Sequence, residues 1–119
     1  MTPRKEIIPA GEGRALLLQG ITEKALLATV VELAEALKLP LFHVLDTRNH
    51  AKVIGPGWPD VVIAIPPYLY VFELKSQRGR ISPDQQRWLD ILAKCRTVVS
   101  GVLRPSDLDE LQRTLEELK

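Results

Sequence analysis

Two short β-forming runs, Val61–Ile65 and Leu69–Lys75, flank a proline pair, Pro66-Pro67. Each is too short for a helix of ordinary length and is bounded by residues that break regular structure, so the two are predicted to pair as an antiparallel hairpin. Tight two-residue hairpin turns ordinarily need positive φ, which proline cannot adopt, so the pattern predicts a wider loop from Ile65 to Tyr68. Both faces of the hairpin are apolar. A sheet of that kind must be covered on both sides, which demands a mixed sheet between layers of helix.

The rest of the chain supplies those layers. Residues 1–20 read as an extended or irregular lead, broken by Pro3, Pro9, Gly11, Gly13 and Gly20. A helix is predicted from about Ile21 to Lys38, capped by Thr22, with Leu26, Val30, Leu33 and Leu37 at helical spacing and Pro40 as its stop. Leu41–Asp46 reads as a strand and residues 47–58 as a polar loop. Ser82-Pro83-Asp84-Gln85 is a helix start: Ser82 caps, Pro83 takes the first helical position and Gln85 completes a capping box. That helix is predicted to reach about Lys94, with Trp88, Leu89, Ile91 and Leu92 on its apolar side. Thr97–Leu103 follows as a buried strand, and Ser106 caps a last helix carrying Leu108, Leu111, Leu115 and Leu118. The order α-β-β-β-α-β-α makes one α/β domain over residues 21–119, and 119 residues leave no room for a second.

Composition narrows the class. With 45% apolar and 26% charged residues the chain is neither a disordered tail, a collagen-like rod nor a coiled coil. No apolar run approaches the roughly 20 residues of a membrane helix, and Met1–Ala10 carries no apolar signal core. A single cysteine, Cys95, excludes an internal disulfide and a multi-thiolate zinc site, so a reducing, intracellular setting is expected. The formal net charge of +1 announces no nucleic-acid partner, but its distribution is uneven. Between residues 48 and 87 the bases Arg48, Lys52, Lys75, Arg78, Arg80 and Arg87 outnumber the acids Asp60, Glu73 and Asp84, whereas the last fifteen residues are acidic. This fits a phosphate-facing centre with a solvated back, and equally two unremarkable charged surfaces.

Three charges at one end of the hairpin carry the chemistry. Glu73 and Lys75 are two apart on a strand and share a face. If the connecting loop holds an even number of residues, Asp60 falls opposite Glu73. Two carboxylates and an ammonium then converge where burial is costly unless the groups are paired or bound to metal. Such a hard oxygen site suits Mg²⁺ or Mn²⁺, which stabilises phosphoryl charge and acidifies a bound water. The chemistry is metal-assisted phosphodiester hydrolysis; the plainer alternative is a surface ion pair, Glu73–Lys75, beside a turn aspartate after Pro59.

Gly57-Trp58-Pro59-Asp60 followed by Glu73-Leu74-Lys75 resembles the signature of the PD-(D/E)XK nucleases. Ile81-Ser82-Pro83-Asp84-Gln85, then Trp88 and Leu89, is similar to the helix start of their VRR-NUC branch, and the upstream helix with Glu23 resembles that branch's acidic first helix. The resemblance spans about residues 21–103. It implies a restriction-endonuclease-like α-β-β-β-α-β core with an extra C-terminal helix, and a Mg²⁺-dependent DNA endonuclease. Asp60 and Glu73 would be metal ligands with the backbone carbonyl of Leu74, and Lys75 the catalytic lysine. Gln85 would lie near the scissile phosphate or the lysine, with helix capping as its other reading, and Glu23 would be an outer metal or water contact. Free-standing members of the branch resemble homodimeric Holliday junction resolvases of phage. Arg48, Lys52, Arg78, Arg80 and Arg87 are candidates for holding DNA phosphates.

Several other residues have ordinary readings. Trp58 and Trp88 read as packing residues, His43 as packed, His50 as a solvated loop histidine, and Cys95 as a small buried side chain. Aromatics at 5% argue against a stacking-based single-strand binder. Two rival functions fit the same residues: another PD-(D/E)XK nuclease (nickase, restriction-like enzyme or exonuclease), and a non-catalytic module that binds DNA or protein.

Overall fold

A computed structural model of the chain describes residues 12–43 and 55–119. Helices α1 (Glu12–Gln19) and α2 (Glu23–Ala36) lead into strands β1 (Leu41–His43), β2 (Val61–Ile65) and β3 (Tyr68–Leu74). Helix α3 (Pro83–Leu92), strand β4 (Val98–Leu103), a 3-10 turn (Pro105–Asp107) and helix α4 (Leu108–Leu118) complete the order. The four-stranded sheet runs β1-β2-β3-β4, with β1-β2-β3 antiparallel and β4 parallel to β3. This mixed sheet flanked by helices, with a helix after the last strand, is a restriction-endonuclease-like α/β architecture. No helix among the described residues is long and apolar enough to cross a membrane.

Strand alternation divides the core. Val61, Ile63, Ile65, Tyr70 and Leu74 pack with Leu26 and Val30 of α2 and Leu111 and Leu115 of α4. The opposite face carries Val71 and Glu73 and receives α3, whose Leu89 and Leu92 are buried. Thr22 caps α2 as expected, its hydroxyl accepting the Ala25 N–H. The helix closes before Pro40: Lys38 takes a positive φ of 59°, Leu39 N–H donates to Ala34 and Lys38 N–H to Glu35, the hydrogen-bond pair of a Schellman stop.

The structure corrects several expectations. Residues 12–19 are helical rather than irregular, because Arg14 to Gln19 is a run of good helix formers that outweighs Gly13 near the helix start and ends at Gly20. The hairpin turn is tight: Ile65 pairs directly with Tyr68 and only Pro66 and Pro67 lie between them, neither with a positive φ, so the turn is not one of the positive-φ types. Strand β4 lies at the sheet edge, so it is half-buried and Val99 is exposed. Ile91 faces solvent on α3, and Cys95, in the turn after α3, is exposed. Ser106 does not cap α4; it sits within the 3-10 turn, where Asp107 accepts the Arg104 N–H. The expected strand residues 44–46, and Arg48, His50 and Lys52, lie outside the described residues, as does the lead up to residue 11.

Candidate active site

The β2–β3 ladder pairs Val61 with Phe72, so one further step sets Asp60 across from Glu73, on the face that α3 covers. Asp60 Oδ2 accepts the Leu74 N–H at 2.8 Å, which ties the residue before β2 to the end of β3. The structure thus links Asp60 to the amide of Leu74, an atom the sequence had not singled out.

Glu73 is 2% exposed and is the only buried charged side chain among the described residues. Its Oε2 accepts a 2.6 Å hydrogen bond from Gln85 Nε2. Its Oε1 is buried and has no hydrogen-bond partner among the described residues. Burial pushes the Glu73 carboxyl up to about 8, helped by the neighbouring Asp60 carboxylate and, more weakly, by the charge of Glu23; the Lys75 ammonium pulls the other way. Lys75, half-buried, follows β3 on the same face as Glu73 and donates its backbone N–H to Leu103 at 3.1 Å. Asp60, Glu73 and Lys75 therefore share one electrostatic neighbourhood, with Glu23, exposed at the start of α2, at its margin.

The first turn of α3 is fastened to this neighbourhood. Ser82 Oγ accepts the Gln85 N–H, and Gln85 Oε1 accepts the Ser82 N–H, a complete capping box. Gln85 therefore caps the helix and holds Glu73 with the same amide. Trp58 meets Trp88 edge-on, ring centroids 5.0 Å apart, stapling the approach to Asp60 onto α3.

Gly57, which the sequence presented only as part of a motif, is the close contact that permits this arrangement. Its φ is +89°, and a Cβ there would stand 2.5 Å from the Asp84 carbonyl carbon and 2.7 Å from Gln85 N. Gly57→Ala is expected to destabilise the fold by about 2–4 kcal/mol, since both the backbone conformation and the space are denied to alanine. Chemical denaturation of the two proteins measures the difference.

Of the proposed phosphate contacts, Arg78 and Arg80 are exposed in the loop after Lys75, and Arg87 is exposed on α3. Arg104 was missed by sequence reasoning. Its Nη1 donates to the carbonyls of Ser76, Gln77 and Gly79, a set of contacts that joins residues far apart in the chain and leaves no local pattern.

Two carboxylates facing each other at the end of the ladder, one of them with an unpartnered buried oxygen, suit a hard divalent cation. No third carboxylate or histidine joins them in a metal-binding group among the described residues, so neutral oxygens of backbone, water and substrate would fill the remaining positions.

The family model described as VRR-NUC domain matches residues 10–104, most of the chain. Comparison with curated proteins and with solved structures found no match.

Proposed function

Since the chain belongs to the VRR-NUC domain family and so carries a nuclease domain of the PD-(D/E)XK type, we propose that it is a Mg²⁺-dependent endodeoxyribonuclease selective for branched DNA such as Holliday junctions. The observation that carries this reading is the buried Glu73, held by Gln85 and raised by burial and by the Asp60 charge, at the end of the β2–β3 ladder.

Asp60 and Glu73 would hold the ion, with the Leu74 carbonyl as a third donor, and Glu23 would touch it through water. When bound, the ion stabilises charge on a phosphoryl oxygen and lowers the pKa of a water. Lys75 orients the attacking water and stabilises charge that develops on the phosphate. Gln85 fixes the Glu73 carboxylate, leaving Oε1 for the ion. Arg78, Arg80 and Arg87 hold the flanking phosphates, and Arg48 and Lys52 join them. One site per chain cuts one strand, so two symmetric cuts call for a homodimer.

The test is cleavage of a four-way junction, a flap, a plain duplex and a single strand by the purified chain, with Mg²⁺, Mn²⁺ or chelator. Paired symmetric nicks in the junction, lost in chelator, are expected. Efficient cutting of duplex or single strand in preference to the junction would instead indicate another nuclease type. Binding of branched DNA with no cutting, undiminished in Asp60→Ala, would replace the enzyme with a binding module.

A further inference from the structure

The chain leaving the site is held by a residue from the far end of the sheet. Because Lys75 N–H still donates to Leu103, the parallel β3–β4 ladder runs one residue past β3 and sets Arg104 level with Lys75, its side chain within reach of Ser76. Arg104 Nη1 donates to the Ser76 carbonyl at 2.8 Å, to Gly79 at 2.9 Å and to Gln77 at 3.3 Å. A second tether lies alongside: Gln77 Nε2 donates to Ser106 Oγ at 3.0 Å, and Ser106 N–H donates to Gln77 Oε1 at 3.2 Å.

This loop borders the reacting groups. A Cβ on Gly79 would stand 3.0 Å from Ser76 Oγ and 3.4 Å from Lys75 Cδ, so the loop folds over the aliphatic stem of Lys75. Arg78 and Arg80, between and after the tethered carbonyls, are exposed. Three carbonyl oxygens turned toward one point repel one another unless a donor stands there. A guanidinium, permanently charged and planar, meets that need in a fixed geometry, whereas lysine offers only a mobile point charge.

We infer that Arg104 is a positioning residue: by gathering the Ser76, Gln77 and Gly79 carbonyls it fixes the loop that seats Lys75 and presents Arg78 and Arg80 to DNA phosphates. The inference rests on the nuclease reading above and assigns to it a residue outside the carboxylate–lysine set.

The experiment uses the full chain as wild type, Arg104→Lys and Arg104→Gln. Hydrogen exchange at residues 76–81, DNA affinity in chelator, and single-turnover cleavage at saturating enzyme are measured on each. Arg104→Gln is expected to quicken exchange in the loop and lower the single-turnover rate roughly 10²-fold, the scale of a misplacement of about 1 Å. DNA affinity should fall roughly tenfold as Arg78 and Arg80 lose their fixed places. Arg104→Lys should recover part of the rate, which a general loss of stability would not produce. If Arg104→Gln does not fold, Gln77→Ala cuts the second tether and should move the three readouts in the same direction by less. Loop exchange, or cleavage, that matches wild type in a folded Arg104→Gln overturns this inference and leaves the nuclease reading standing. A wild-type chain that cuts no DNA overturns both.

Discussion

Alanine at Asp60, Glu73 or Lys75 is expected to lower DNA cleavage by about 10³-fold or more in each case, the scale on which charge stabilisation and metal ligation act. Asp60 and Glu73 act as a pair, because they face each other at the end of the β2–β3 ladder and would hold the same ion. Losing either leaves one carboxylate where a divalent ion needs more. The double variant should therefore be little worse than either single one. Glu73→Ala also empties a buried position, so Glu73→Gln, of the same shape, is the sharper probe; Asp60→Asn likewise keeps an oxygen for the Leu74 N–H. Lys75→Ala removes the ammonium and spares the ladder bond, which is made by its backbone. Single-turnover cleavage at saturating enzyme, with DNA binding measured separately, separates chemistry from affinity. Full activity in any one variant removes that residue from the mechanism.

The second large effect is on stability. The Glu73 carboxyl titrates near 8 in the folded chain, against an ordinary value of 4.5. Between those values the folded state keeps a proton that the unfolded state has released, so stability falls as pH rises. The contribution is fully present below about pH 4.5 and is lost by the time pH has passed through about 8. In chelator, this group alone is expected to make the protein less stable at pH 8 than at pH 5 by a few kcal/mol, on the order of the linkage for a shift of this size. Mg²⁺ or Mn²⁺ should restore the melting temperature at pH 8 and do little at pH 5, because the ion and the proton compete for the same oxygens. Glu73→Gln should flatten the pH dependence and abolish the response to metal. Thermal unfolding across pH, with and without metal, measures all three, and a melting temperature that climbs from pH 5 to pH 8 in chelator contradicts the assignment.

Much of this was legible in local pattern. The Ser82-Pro83-Asp84-Gln85 start, the two β runs and the apolar spacing of Leu26 and Val30 each state their geometry within a few residues. The register followed from counting, because a four-residue loop over Ile65–Tyr68 and a two-residue turn at Pro66-Pro67 both leave Ala64 opposite Leu69. What escaped was non-local or depended on the third dimension. The tight turn was missed because the rule against proline covers only the positive-φ turn types, and this turn has no positive φ. The partial exposure of β4 was missed because nothing in an apolar strand reveals that it lies at an edge. The clearance at Gly57 depends on a helix that begins well downstream in sequence. Arg104 looked like one more surface base until the parallel ladder set it level with Lys75, with its guanidinium on the Ser76 carbonyl.

One side chain is subject to two demands that differ in what they would accept. The turn that opens α3 asks position 85 only for an oxygen within reach of the Ser82 N–H, and glutamate serves that purpose as well as glutamine. Glu73 asks the same side chain for a hydrogen. Gln85→Glu would thus leave the helix start intact while setting a third carboxylate against the other two. The amide nitrogen is specified by the chemistry rather than by the fold, and a one-atom exchange there pries the two apart.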